Sequence, residues 1–175
     1  MAGHDRLTPE GKRFFGEIDN LRKLQVRIGF QHGEKSDPDS GADLADIAMW
    51  NEFGTTGEHP APARPFLRQS VDTNADKISA MCKAQLAAIA KGKATAKGAL
   101  QDIGVMQKGL IQHTIRGGDF EANADITING GWMWVSKKDG TRGPIYIKGK
   151  GSNRPLVNTG RMKQSINFVI VPKGE

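Results

Sequence analysis

The feature of this sequence that most limits its fold is an apolar stripe of helical period in the middle of the chain. Its members recur every three or four residues over several turns, which places them on one face of an α-helix. The pattern predicts one long helix that begins near Arg64-Pro65, and a second helix is predicted from about Ala99 to Ile115. We expect these two helices to form an antiparallel pair over a sheet. The stripe consists of Leu67, Val71, Ala75, Ile78, Cys82, Leu86 and Ile89.

Strand patterns lie on both sides of this helical region. Residues 24–30 alternate between apolar and polar side chains, as in a strand with one buried face. After residue 118 the sequence predicts short β segments at 126–128, 132–135 and 145–147, with a hairpin turn at Asp139-Gly140. The last predicted strand, Ile166 to Val171, is apolar on both faces, which indicates a strand covered on both sides.

The predicted fold class is therefore α+β: a mainly antiparallel sheet with two long helices packed on it. Shorter helices are expected from Pro9 and from Asp43 to Phe53. We predict a single domain with extended loops over residues 1–175. Residues 1–8 form a flexible N-terminus in this prediction, and residues 129–155 form a basic hairpin insertion.

The positive charge of the chain is concentrated near its C-terminus. The net charge is +6. Between Gly130 and Glu175, nine Lys or Arg residues face only Asp139 and Glu175, which gives +7 and leaves −1 for the rest. Such asymmetry favours a polyanion or an acidic surface as the partner, although a solubilising loop explains it equally well. Aromatic residues make up only 6% of the chain, so we expect a modest core that gains stability from neighbours in an assembly.

Catalytic and metal-binding patterns are absent from the sequence. The four histidines are far apart, and no pair has the spacing of a metal-binding helix. The single cysteine, Cys82, cannot form an intrachain disulfide, and its place on the apolar stripe predicts a buried, inert thiol. We therefore predict a protein that is not an enzyme, has no cofactor and is made in a reducing compartment. No segment approaches the ~20 apolar residues of a membrane helix.

Two segments have the composition of interaction sites. The first is Trp50-Asn51-Glu52-Phe53-Gly54, followed by a loop and Pro62-Ala63-Arg64-Pro65-Phe66-Leu67-Arg68. Aromatic and Arg side chains on proline-stiffened backbone are typical of interface anchors, although the rings can equally fill the core. The second runs from Arg154 to Ile166. There Asn158 can cap a helical turn that leads into the last strand, and a purely structural elbow explains this segment as well.

These segments resemble the "WNEFGT … PARPFLR" and "KPLIDTGxLRxSI" signatures of tailed-phage neck, or minor tail, proteins of the tail-completion family. That family is similar to the tail-completion protein Z of phage lambda. The segment from Phe120 to Ala124 matches a further "F.xNA" element, and order and spacing agree from about Leu24 to Val171. The chain departs from the pattern at Asn158, where Asp is usual, and at Gln69, where proline is common. It also carries an insertion at residues 129–145.

The resemblance implies a structural virion protein at the head–tail junction, assembled in the host cytoplasm. It implies a ring, sixfold by default, that closes the tail tube or joins it to the head connector through heterologous contacts. No catalytic residue comes with the family. The residues predicted to contact partners are Trp50, Glu52, Phe53, Gly54, Pro62, Arg64, Pro65, Phe66, Arg68, Asn158, Thr159, Gly160 and Arg161.

The basic insertion has two predicted roles. In the ring, its cations face DNA in the lumen or an acidic surface of an adjacent ring, through weak, salt-sensitive contacts. In the alternative, the chain is a standalone nucleic-acid-binding protein with Trp132 and Trp134 as stacking platforms. Both tryptophans share one strand face, which fits burial in a core equally well. The cations are Lys137, Lys138, Arg142, Lys148, Lys150 and Arg154.

Overall fold

The protein has an α+β fold. The structure is a computed structural model that describes residues 7–31, 33, 42–137, 139–156 and 160–174. Two antiparallel pairs of strands, β1 with β4 and β2 with β3, account for the strands in these ranges. In chain order the elements are α1 Pro9–Lys23, β1 Leu24–Gly29, α2 Leu44–Phe53, α3 Phe66–Asp72, α4 Ala75–Ala90, α5 Ala96–Gly117, α6 Asp125–Asn129, β2 Gly131–Ser136, β3 Arg142–Ile147, α7 Arg161–Gln164 and β4 Asn167–Pro172.

The chain divides into two compact units, and each is built from segments that are distant in sequence. The first unit consists of Met1–Phe30, Ser70–Ile111 and Ile166–Glu175, and the second of Gln31–Gln69 and Gln112–Ser165. Neither unit is a continuous stretch, so no single linker separates them.

The first unit is built around the pairing of the two ends of the chain. Strand β1 pairs antiparallel with β4, from Leu24 opposite Pro172 to Gly29 opposite Asn167. Helix α5 packs closely on β4, because a Cβ at Gly104 would overlap the ring of Phe168. This close approach explains a glycine inside a helix, where glycine costs about 1 kcal/mol relative to alanine. The buried apolar side chains of this unit are Ile89, Ala96, Ala99, Ile111 and Ile166.

The second unit contains nearly all of the two segments for which the sequence predicts partner contacts. Helix α2 begins at the N-cap Asp43, whose carboxylate accepts a hydrogen bond from Ala45 N at 2.9 Å, and it ends at Gly54. Strands β2 and β3 form a hairpin that is closed near Asp139-Gly140, as the sequence predicts. The buried apolar side chains are Leu44, Ala48, Phe66, Ile115 and Met162.

The predicted long helix is wrong, because the chain turns at Thr73-Asn74 and forms α3 and α4 instead. The Asn74 side chain donates to Ser70 O at 2.9 Å, the kind of local bond by which asparagine competes with helical pairing. The apolar stripe is also only partly covered. Ile89 is buried, whereas Val71 and Leu86 are exposed.

Two strand predictions differ from the structure. Residues 126–128 belong to helix α6, not to a strand, and the helix ends at Gly130, which has a left-handed φ of 76°. Strand β4 is present, but Val169 is exposed, so the strand is not covered on both faces. The sheet content is two pairs of strands, so the prediction of a mainly antiparallel sheet reduces to the coarser class α+β.

Candidate functional site

The buried carboxylate of Glu52 joins the two halves of the first signature segment. Its two oxygens accept hydrogen bonds from Leu67 N at 2.8 Å and Arg68 N at 3.0 Å. These amides belong to the first turn of α3, where backbone N–H groups have no partner within the helix. Glu52 therefore caps α3 from a neighbouring helix, and its negative charge lies at the positive end of the helix dipole.

The loop between the two halves is held by its own backbone. Thr55 N donates to Ala61 O at 3.0 Å, and Arg64 N donates to Asn51 O at 2.6 Å. Gly54 makes this turn possible: its φ is 75°, and a Cβ there would lie 2.9 Å from both Ala61 O and Ala63 N. Only glycine fits this position without strain.

The Arg64 side chain reaches a different part of the chain. Its Nε donates to Glu121 O at 2.9 Å and its Nη2 donates to Ala122 O at 3.1 Å. Both acceptors are backbone carbonyls of the segment that resembles the "F.xNA" element. Burial lowers the pKa of the Arg64 guanidinium, and the nearby Glu121 carboxylate partly offsets this effect.

Asn123 extends the connection to the second signature segment. Its buried side-chain amide donates to Ser152 O at 3.4 Å and to Arg154 O at 3.2 Å. We call Glu52, Arg64 and Asn123 the motif cluster. Through these three side chains the separated motif segments hold one another in place. Sequence reasoning placed Asn123 in a family motif but gave it no role.

The remaining residues of the first segment differ in exposure. Phe66 is fully buried, and Glu52 and Arg64 are nearly so. The side chains of Glu52 and Arg64 make internal hydrogen bonds, so the structure explains these residues within the chain, and their contact with partners stays a prediction. Those that stay available are the exposed Trp50, Phe53 and Arg68, with Gly54, Pro62 and Pro65 partly buried.

The second segment forms a short helical turn at its centre. Gly160 caps α7 with a left-handed φ of 75°, and Arg161 is exposed at the first position of that helix. The predicted capping residue Asn158 and its neighbour Thr159 lie outside the described residues. Leu156 has a φ of 61°, a conformation that is rare for a side chain of its size. A cavity of about 130 Å³ is lined here by Ile115, Arg116, Arg154, Leu156, Gly160 and Lys163.

The β2–β3 hairpin is anchored at its base by close contact between backbones. A Cβ at Gly130 would lie 2.6 Å from Gly149 N, so two glycines allow the chain to cross itself there. Lys150 N donates to Thr127 O at 2.9 Å, which ties the end of the hairpin to α6. The two ends of the hairpin therefore lie side by side where they join the rest of the second unit.

One face of the hairpin carries exposed aromatic rings. Trp132 lies opposite Tyr146 in the strand register, and their ring centroids are 5.5 Å apart in an edge-to-face arrangement. Trp134 follows two residues later on the same face. The exposed fractions are 70% for Trp132, 60% for Trp134 and 61% for Tyr146. We call these three residues the aromatic face. Their exposure excludes burial in the core of this unit, the alternative that the sequence left open.

The tip of the hairpin contacts the loop that follows α2. Glu58 Oε2 accepts from Ser136 Oγ at 2.8 Å, and the other oxygen of the same carboxylate forms an ion pair with Arg142. The hydrogen bond from Ser136, with smaller help from Arg142, lowers the pKa of Glu58. His59 Nε2 lies 2.9 Å from Trp134 O. These contacts could not be predicted from the sequence.

The predicted cations do not all lie on the hairpin. Lys137, Arg142 and Lys148 are exposed on it, and Lys138 lies outside the described residues. Lys150 is also exposed, and desolvation, with a smaller effect from the charge of Arg64, lowers its pKa. Arg154 lies beyond the hairpin at the cavity described above.

The structure corrects one prediction about reactive groups. Cys82 is exposed on α4, so the prediction of a buried thiol is wrong. Helix α4 is covered along the side that carries Ile78, Gln85 and Ile89, and Cys82 lies at the edge of that side. Within the described ranges, no cluster of His, Cys, Asp or Glu side chains is suited to a metal ion. A membrane-spanning helix is likewise not found in that part of the chain.

Comparisons with known proteins give no match of any kind. The models of protein families, the curated proteins and the solved structures all lack a significant counterpart to this chain.

Proposed function

We propose that this chain is a non-enzymatic structural subunit of a tailed-phage particle, which forms a ring at the head–tail junction. The proposal begins from the resemblance of its motifs to the tail-completion family. It gains support from the motif cluster, because the segments that carry the resemblance are joined by buried polar contacts. Because these segments hold one another in place through the motif cluster, their joint presence in one chain has a structural reason.

The distribution of apolar side chains is the observation that carries the proposal. In the described part of the chain seven large apolar side chains are buried, whereas thirteen are exposed. Burial of apolar surface is the main favourable term in folding, and large exposed apolar surface marks contact sites. A subunit with a small core and abundant apolar surface gains stability when neighbours cover that surface.

The ring contacts are assigned to the exposed signature residues. Trp50, Phe53 and Arg68 of the first segment and Arg161 of the second are exposed, and we assign the contacts with neighbours to them. In a ring each contact is heterologous, so one patch meets a different patch of the next subunit. The partners are further copies of this chain, the tail tube and the head connector. The exposed cations of the hairpin contact DNA in the lumen weakly and without sequence preference.

Light scattering tests the proposal directly. The mass of the purified protein is measured alone and after addition of tail tubes from a related particle. We expect either a ring of about six times the 19.0 kDa chain mass or a monomer that forms one on tube ends. A protein that stays monomeric at high concentration and ignores tubes contradicts the proposal.

Matched variants show whether the signature residues make the contacts. Phe53→Ser removes an exposed ring without opening the core, and we expect it to reduce assembly. Gln101→Ala changes an exposed polar residue of α5 and serves as the control. Equal assembly by both variants would remove the first signature segment from the ring interface.

A further inference from the structure

The aromatic face carries most of the tryptophan and tyrosine residues of this protein. The chain has three tryptophans and one tyrosine, and two of these tryptophans and the tyrosine lie on this one exposed surface. We propose that the hairpin binds unpaired nucleotides, whose bases stack on Trp132 and Trp134. The inference deepens the nucleic-acid contact of the proposed function, and it does not depend on ring formation.

The spacing of Trp132 and Trp134 along the backbone of β2 suits base stacking. Residues two apart on a strand are separated by about 6.5–7 Å. This is about twice the 3.4 Å between successive bases of a strand. A single base can therefore lie between the side chains of Trp132 and Trp134 with contact on both of its faces. Tyr146 packs edge-to-face on Trp132, with ring centroids 5.5 Å apart.

The charges at the two ends of this surface suit phosphates. Arg142 lies on the same strand face as the aromatic rings, at the tip of the hairpin. Lys148 is exposed at the other end, one residue after β3. Six residues of strand separate the two cations, a distance of about 20 Å, which a few extended nucleotides can span. Aromatic platforms between cations are the usual arrangement in proteins that bind single strands.

The carboxylates of Asp139 and Glu58 lie near this surface, and each already has a hydrogen-bond or ion-pair partner. Asp139 Oδ1 accepts hydrogen bonds from Thr141 N at 2.9 Å and Thr141 Oγ1 at 2.7 Å. Glu58 is paired with Arg142 in an exposed position, where an ion pair is worth little. A phosphate group can therefore displace Glu58 from Arg142 at small cost. Glu58 acts as a competitor for the same cation.

Binding is measured by fluorescence anisotropy with labelled probes, together with quenching of tryptophan fluorescence. The probes are a short oligo(dT), the matching oligo(rU), a DNA duplex of the same length and a heparin fragment. We expect oligo(dT) or oligo(rU) to bind at least ten times more tightly than the duplex, because paired bases offer no free face. The relative affinity of the two single strands shows whether DNA or RNA is preferred.

Variants of the tryptophans separate stacking from charge. Trp132→Ala and Trp134→Ala should each weaken binding by about 5- to 150-fold, the range for loss of one stacked base. Trp134→Phe retains a ring and should keep most of the affinity. Phe15→Ala, which removes an exposed ring of α1, is the control and should change nothing. Circular dichroism of each variant shows that the hairpin variants remain folded.

The cations are tested through salt dependence and through Glu58. Lys148→Gln should reduce the salt slope of single-strand binding by about 0.7, the value for one phosphate contact, whereas Lys97→Gln should not. Glu58→Gln frees Arg142 and should tighten binding by up to about fivefold. A Glu58→Gln variant that binds no more tightly than the unaltered chain would remove Arg142 from the proposed site.

Two results would overturn the proposal. Equal binding of heparin and oligo(dT), with no loss in the tryptophan variants, would show a surface that recognises charge alone. Absence of binding to either single strand, with altered mass of the tryptophan variants in light scattering, would assign the aromatic face to contacts between copies. The mass from light scattering tests ring formation, and the binding assay tests base stacking. A negative binding result therefore does not decide whether the chain forms a ring.

Discussion

The role of Glu52 offers the sharpest test of how the motifs work. The sequence suggested a side chain that contacts a partner, whereas the structure buries this carboxylate against the first turn of α3. If Glu52 serves to stabilise the fold through its internal contacts, its replacement should reduce the stability of the isolated chain. If a partner is its purpose, replacement should reduce assembly and leave the isolated chain unchanged.

The magnitude follows from the two hydrogen bonds. Glu52→Gln keeps the size of the side chain, but its amide has one acceptor oxygen, and its NH₂ group must face the second backbone N–H. One charge-assisted bond is lost and the other becomes neutral, which lowers the free energy of unfolding by about 2–3 kcal/mol. Glu52→Ala leaves both amides without an acceptor and should cost about 3–4 kcal/mol. Phe66 begins α3, so fraying of that turn also loosens a fully buried ring.

Urea unfolding followed by circular dichroism measures both variants. Asp119→Asn removes an exposed carboxylate of the same unit and is the control, with an expected change of less than about 0.5 kcal/mol. Light scattering measures the molecular mass of the folded variants and so shows whether they still assemble. A Glu52→Gln variant as stable as the control, yet unable to assemble, would refute the internal role and restore Glu52 to the partner surface.

Three further predictions follow from single contacts. Gly104→Ala should destabilise the first unit by about 1–3 kcal/mol because the new methyl group overlaps Phe168. Gly109→Ala in the same helix meets open space and should stabilise by about 0.5–1 kcal/mol; thermal unfolding of the pair tests both. Arg64→Lys, which lacks the planar fork that reaches two carbonyls, should lower the free energy of unfolding by about 1–3 kcal/mol in urea, and an unchanged value would show that these bonds contribute nothing net. Cys82 should react with a thiol reagent in the native protein at nearly the rate seen after unfolding, and protection in the native state would contradict its exposure.

Much of the local structure could be predicted because the signals are local. Thr8-Pro9 starts α1, since the threonine hydroxyl accepts from Gly11 N at 3.2 Å. Gly54 ends α2 because the chain needs a left-handed residue there. The short apolar segments at 132–135 and 145–147, with the Asp139-Gly140 turn between them, predict the β2–β3 hairpin. In each case a few neighbouring residues contain the physical cause.

The failures occurred where a local pattern had more than one outcome. A run of spaced apolar residues cannot show that Asn74 will bond to Ser70 and break the helix. The run at 126–128 is too short for its period to distinguish strand from helix, and the ties to Lys150 and Gly151 fix the helical turn. Exposure of Cys82 depends on which side of α4 is covered, and sequence spacing does not record this.

The candidate site, too, could be predicted from the sequence only in part. The sequence located the motif segments but could not show that Glu52, Arg64 and Asn123 bind backbone rather than partners. Residue types typical of interfaces are also those that satisfy buried backbone groups, since both tasks need charge and several donors or acceptors. Only the hydrogen bonds of the folded chain separate the two uses.

Residues that stabilise the fold can thus be distinguished from exposed residues that are free to serve a particular function. The motif cluster accounts for Glu52, Arg64 and Asn123 by their hydrogen bonds inside the second unit, so these three residues need no partner to explain their presence. Trp132, Trp134 and Tyr146, each at least 60% exposed, lie on the β2–β3 hairpin, within or just after residues 129–145, which the sequence analysis interprets as an insertion. Because the hairpin joins the unit where Gly130 meets Gly149, its surface can vary without disturbing the motif cluster. We therefore expect assembly and nucleic-acid contact to be separable properties of this chain.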